Sequence, residues 1–110
     1  MADPPPIGLN TYCLRALRWN DRQLLDYAAA QKMDVLFLQD SLDPRAKDPA
    51  HWAGVKRWSE ELGLTLETGG GGVFPMKPEL FQAPVDNILF PARRAAAMGS
   101  KIVRMVCFSQ

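Results

Sequence analysis

The residues of this chain whose types could do chemistry fall where apolar runs end: Asn10 and Tyr12, Gln39 and Asp40, Glu67 followed by Gly69 to Gly72, and Ser109. If those runs are strands of one parallel sheet, their carboxyl ends share a face, which is where such sheets place ligands. Asn10, Tyr12, Gln39, Glu67, Gly69 and Gly70 are then the candidate substrate contacts. Glu67 would touch a substrate or a metal, or form a buried ion pair with Arg104, which lies equally far into the next apolar run. The glycine run can cradle an anion through backbone N–H groups, or simply line a pocket tightly. No Lys-Ser or Lys-Thr follows it, so it is not a P-loop. Asp40 can face a ligand or cap the loop after it, and the cap is the preferred reading.

The elements that must position these groups are legible from periodicity. Ile7 to Leu14 reads as a first strand after the stiff Pro4 to Pro6, with residues 1–6 as a lead-in outside the domain. Asn20 or Asp21 caps a first helix, in which Leu24, Leu25, Ala28 and Ala29 recur at helical spacing to about Lys32. Val35 to Leu38 is a continuous apolar run, as in strands covered on both faces. Asp48 with Pro49 starts a second helix, striped by Trp52, Val55, Trp58 and Leu62 and stopped by Gly63. A short buried strand follows from Leu64. Four successive glycines at its end cost backbone entropy, so they predict a shaped loop that takes positive φ or approaches something bulky.

A long connection through Phe74, Pro75 and Pro78 leads to a third helix carrying Val85, Ile88, Leu89, Ala92 and Ala96. Pro91 removes one of its hydrogen bonds, at up to ~3 kcal/mol, which predicts a kink or break near Asn87 to Pro91. Gly99 ends it, and Lys101 to Phe108 is a fourth strand. Strand starts near Ile7, Asp34, Leu64 and Lys101 are separated by 27, 30 and 37 residues. The expected fold is α/β, a parallel β-α-β-α-β-α-β unit with right-handed crossovers. Eight such units approach the ~250 residues of a TIM barrel, so residues 7–110 correspond to the first half of a TIM (β/α)8 barrel.

Composition limits the function classes. The chain has 110 residues, 47% hydrophobic and 23% charged, as expected of one soluble globular domain. Its 13 basic and 12 acidic residues nearly cancel, and no basic run points to nucleic acid or a membrane surface. Cys13 and Cys107 lie far apart in apolar runs and read as buried, reduced thiols, consistent with a cytoplasmic location. The first residues lack the pattern of a signal peptide, and no stretch approaches the ~18 apolar residues of a membrane span. His51, the only histidine, falls in the first turn of the second helix and reads as a surface residue. Trp19, Trp52 and Trp58 read as packing residues, with Trp19, in the loop after the first strand, the one placed to meet a ligand.

The runs Gly8-Leu-Asn-Thr-Tyr12, Leu25-Asp-Tyr-Ala-Ala29, Phe37-Leu-Gln-Asp-Ser41, Leu66-Glu-Thr-Gly-Gly70 and Met98-Gly-Ser-Lys-Ile-Val-Arg104 carry a further signal. In pattern and register they resemble the sugar phosphate isomerase and epimerase family, the xylose isomerase-like TIM barrels. The resemblance covers nearly all of this chain but only the amino-terminal half of the family's usual length. It implies a metal-dependent isomerase or epimerase of carbohydrate metabolism, with a sugar-like small molecule as substrate. It also implies a divalent metal (Mn, Mg, Co or Zn), held by Glu, Asp, His and Glu of later strands, which polarises a carbonyl while a carboxylate takes a proton. That ligand set does not map onto this chain, so the catalytic residues stay unassigned and the chain alone is expected to be inactive. The alternative is a half-barrel that homodimerises through its exposed sheet edges as a non-catalytic binding or scaffold module. A self-contained binding module is disfavoured because no helix follows the fourth strand, and an abasic-site endonuclease by the near-neutral charge and the single histidine.

Overall fold

A computed structural model describes residues 4–40, 42–74 and 84–108, with side chains described outside 71–87 and 106–108. Four strands, β1 (Gly8–Asn10), β2 (Val35–Gln39), β3 (Thr65–Phe74) and β4 (Val103–Phe108), alternate with helices α1 (Asp21–Ala30), α2 (Pro49–Leu62) and α3 (Pro84–Ala97). Every neighbouring pair is parallel, and the order across the sheet is the order in the chain, β1-β2-β3-β4. The α/β class and the alternation expected from the sequence are therefore present.

The helices begin and end where local chemistry dictates. Asn20 Oδ1 accepts the Gln23 N–H at 2.9 Å while Gln23 Oε1 accepts the Asn20 N–H at 3.0 Å, a reciprocal box that satisfies two donors at the start of α1. Asp48 accepts the Ala50 N–H at the start of α2, Pro49 supplies a pre-set φ, and Gly63 closes the helix at φ 70°. One face of the sheet, carrying Leu36, Leu38 and Leu66, packs on Leu24, Leu25 and Ala28 of α1, Trp52 and Val55 of α2, and Met98 after α3. Each fully buried leucine there contributes about 1.5–3 kcal/mol by leaving water. The opposite face, carrying Asn10, Phe37, Gln39, Glu67 and Arg104, has no helix over it among the described residues.

Three local expectations are corrected. The first strand does not run to Leu14: it stops at Asn10, and Thr11–Leu17 forms a 3-10 helix. Asn10 Oδ1 caps that helix by accepting the Tyr12 N–H at 3.0 Å. The buried Thr11 hydroxyl replaces the lost strand ladder, donating to the Phe37 carbonyl at 2.7 Å and accepting the Gln39 N–H at 3.3 Å. Cys13 consequently lies on an exposed turn rather than in a buried strand.

Gly69 to Gly72 lie inside β3 rather than in a loop beyond it, with an irregularity in the pairing to β4 between Gly70 and Gly72. Close approach, not positive φ, explains glycine at Gly69 and Gly70. A Cβ on Gly69 would sit 2.5 Å from Phe37 Cζ and 2.7 Å from the Arg104 carbonyl oxygen, and one on Gly70 would sit 2.6 Å from Asp40 Oδ2.

Of the kink or break expected near Pro91, the break is absent: helix α3 runs on through Pro91. Pro91 is buried against Gly70 of β3, and the preceding Phe90 meets the Trp52 ring edge-on at 5.6 Å. That packing offsets the missing hydrogen bond. The expected connection through Pro75 and Pro78 falls outside the described residues.

Candidate functional site

The uncovered face of the sheet gathers most of the residues expected to contact a substrate. Asn10, Tyr12, Gln39 and Gly70 line a concavity of about 430 Å³ with Phe37, Arg104 and Met105. A second hollow of about 330 Å³ shares Asn10, Phe37 and Arg104 and adds Glu67. Gly69 lies beneath the Phe37 ring and lines neither. Ser109 falls outside the described residues.

Strand alternation explains this convergence. Asn10, Phe37, Gln39, Glu67 and Arg104 point to the same side because their neighbours Leu9, Leu36, Leu38 and Leu66 are drawn to the helices. Arg104 organises the centre of the face. Its Nη2 donates to Glu67 Oε2 at 2.7 Å, and its guanidinium lies 5.0 Å from the centre of the Phe37 ring. The Glu67–Arg104 pair expected from the sequence thus exists, but on the open face: the Arg104 side chain is 59% exposed and Glu67 is 17% exposed.

The arrangement offers a ligand one amide each from Asn10 and Gln39, the Tyr12 hydroxyl, and the remaining N–H groups of Arg104. Asn10 has its oxygen committed to the Tyr12 N–H, which leaves its NH2 group as a donor. Arg15 stacks on the Tyr12 ring at 4.3 Å and donates to the Tyr12 carbonyl, bracing that side chain at the rim. The residues lining the two hollows include one carboxylate, Glu67, already held by Arg104, and no histidine. They do not form the carboxylate and imidazole set that the family's metal needs.

A second constellation lies on the helix side and was not anticipated. Asp21 in the first turn of α1, Asp43 in the β2–α2 loop, and His51 in the first turn of α2 meet in the interior. His51 Nε2 lies 2.9 Å from Asp21 Oδ2 and 3.4 Å from Asp43 Oδ2. Asp43 Oδ2 also accepts the Asp21 backbone N–H at 2.8 Å, and its Oδ1 accepts the Arg45 N–H at 2.8 Å. His51 is therefore buried, which corrects the surface reading. The signal was present in the spacing, since His51 precedes Val55 by one helical turn and shares its buried stripe with Ser59.

Arg94 of α3 adds a buried positive charge nearby. It is 1% exposed and faces Asp21, Asp40 and Asp43 electrostatically, while burial pulls its pKa down against their combined charge. It sits on the same helical stripe as Pro91, Ala95 and Met98, a position where an apolar residue is expected. Burial pushes the Asp21 carboxyl above its usual range despite the His51 hydrogen bond, with the Asp43 charge adding to the rise. Burial acts the same way on Asp43, but the N–H groups of Asp21 and Arg45, the Arg45 side chain and the charge of His51 outweigh it and hold that carboxyl low. Asp40 packs against Gly70 and acts electrostatically on Arg94.

The tryptophans are packing residues. Trp52 donates from Nε1 to the Ala46 carbonyl, Trp58 packs edge-on to His51, and Trp19 lies against Tyr27 with ring centres 5.3 Å apart. No helix among the described residues is long and apolar enough to cross a membrane. No family model matches the sequence, and no curated protein matches it.

Proposed function

We propose that this chain forms the first half of a xylose isomerase-like TIM barrel and supplies part of the substrate-binding wall of a metal-dependent sugar or sugar-phosphate isomerase or epimerase. One observation carries the reading. Four parallel strands follow one another in chain order and, among the described residues, leave one face free of helices, as a closing (β/α) barrel requires and a doubly wound sheet, whose order reverses, does not. The polar residues on that face suit a polyol: two amides and a phenol to hydrogen-bond hydroxyls, and a guanidinium for phosphate or for a carbonyl oxygen gaining charge.

The residues of this chain would bind and orient rather than move the proton. Asn10, Gln39 and Tyr12 engage hydroxyls, while Glu67 fixes the Arg104 guanidinium over Phe37 so that its other N–H groups meet the ligand. A metal bound through later strands would polarise the substrate carbonyl. No described residue of this face is assigned as its ligand or as the base.

The test is ligand titration of the purified chain by NMR, with a ketose phosphate as probe, beside an assay for epimer interconversion with added Mn2+ or Co2+. The expected result is perturbation of the Asn10 and Gln39 side-chain amides, weakened at least tenfold in Arg104→Ala, and no turnover. Unmoved amides would overturn the binding role, and turnover by this chain alone would overturn the division of labour.

A second reading rests on the sheet edges. Among the described residues β1 and β4 each have an unpaired outer edge, and the exposed Ile7 and Ile102 precede them at the same end of the sheet. Two copies joined β1 to β4 would cover these residues and close an eight-stranded ring as a binding or scaffold module without catalysis.

A further inference from the structure

We propose that Asp21, Asp43 and His51 bind a divalent cation of the Zn2+ class, at a structural site on the helix side of the sheet. The inference stands apart from the sugar-binding reading, because none of the three residues lines the open face. One ligand atom from each lies within 4.8 Å of the others. A tetrahedral zinc centre with bonds near 2.0–2.2 Å separates its ligand atoms by about 3.3 Å. The observed 2.9 and 3.4 Å from His51 Nε2 to the two carboxylates need only a few tenths of an ångström of adjustment.

Two further observations point to a cation. Asp21 Oδ1 is buried and has no hydrogen-bond partner, although its residue is 1% exposed. An unmet carboxylate oxygen in the interior is costly, and a metal bound through both Asp21 oxygens would satisfy it. The charges agree in direction: Asp21, Asp40 and Asp43 act on the buried guanidinium of Arg94, and the half-exposed Arg45 pairs with Asp43 from the rim. Three carboxylates thus meet two guanidiniums, so the cluster carries a surplus of acidic groups that a cation would offset.

The ligands are also held from outside. Backbone N–H groups of Asp21 and Arg45 orient both oxygens of Asp43, the kind of outer support that metal-binding carboxylates receive. Arg94 Nε and Nη2 are buried without partners, and its guanidinium acts electrostatically on Asp21 and Asp43. Bound there, the ion would join the starts of α1 and α2. The competing arrangement is a metal-free imidazole whose Nε2–H donates to the two carboxylates.

His51 is the only histidine of the chain, so its ring nitrogens give unambiguous signals. The chain would be labelled with 15N-histidine, stripped with EDTA and titrated with Zn2+, with Co2+ absorption and thermal melting in parallel. Expected are a large shift of the Nε2 resonance saturating at one equivalent, visible bands of low-coordinate Co2+, and a melting midpoint raised by several degrees and reversed by EDTA. His51→Gln should lose the bands, whereas Glu67→Gln, which alters the open face, should keep them. An unmoved Nε2 signal in the wild-type chain overturns the proposal even if His51→Gln fails to fold. Co2+ bands that survive in folded His51→Gln, or vanish in Glu67→Gln, also overturn it.

Discussion

Arg94 is the residue whose placement most constrains this molecule. A guanidinium 1% exposed near three carboxylates has part, but not all, of its desolvation countered by their charges. Replacing it with methionine keeps much of the volume but strands Asp21, Asp40 and Asp43 without their cation. Arg94→Met removes the opposing charge but also two buried, unpartnered donors, so it should lower the unfolding free energy by about 1–3 kcal/mol. Urea denaturation of the EDTA-treated chain measures this, and a loss under 1 kcal/mol would mean that Arg94 does not hold the cluster. His51 teaches a related lesson. A lone histidine beside an exposed loop reads as surface until its helical phase is compared with Val55 and Ser59, and two carboxylates then explain how it can be buried.

At the scale of elements, β3 and α3 depart furthest from expectation and do so together. The glycines belong to the strand because Phe37, Asp40 and Pro91 crowd onto it, and α3 can run through Pro91 because β3 presents no side chain at Gly70. Gly69→Ala places a methyl group against both an aromatic ring and the backbone of β4. The ring can turn aside, but the Arg104 carbonyl cannot move without disturbing the ladder. The substitution should cost about 1–3 kcal/mol, as overpacking typically does, and should displace Phe37 from under Arg104. Thermal melting together with the NMR shifts of the Phe37 ring would show it. A neutral substitution would mean that β3 and β4 lie further apart than described.

For the whole molecule, the open face and the two unpaired edges make one question decisive: whether copies of the chain associate. Light scattering after size exclusion should give a discrete dimer with cooperative unfolding if β1 and β4 pair between copies, and Ile102→Lys should convert it to monomer. A cooperative monomer that still binds a ketose phosphate would favour the substrate-wall reading.

What the sequence by itself determined is local in origin. Asn20 with Gln23, Asp48 with Pro49, and Gly63 set helix ends through hydrogen bonds and φ preferences within a few residues, and the Val35 to Leu38 run announced a strand by its hydrophobicity, although of the two covered faces it implied only one carries helices among the described residues. The chain-order parallel sheet followed from the spacing of such elements. Tertiary structure decided the rest. Thr11 bonds strand β2 from 26 residues away, and His51 meets Asp21 across 30. Neither contact carries a local period, because each exists only where separate helix starts and strand ends are brought together by burial of the leucine core. The same burial selects glycine at Gly69 and Gly70, where the approaching atoms come from other elements and from no neighbour in sequence.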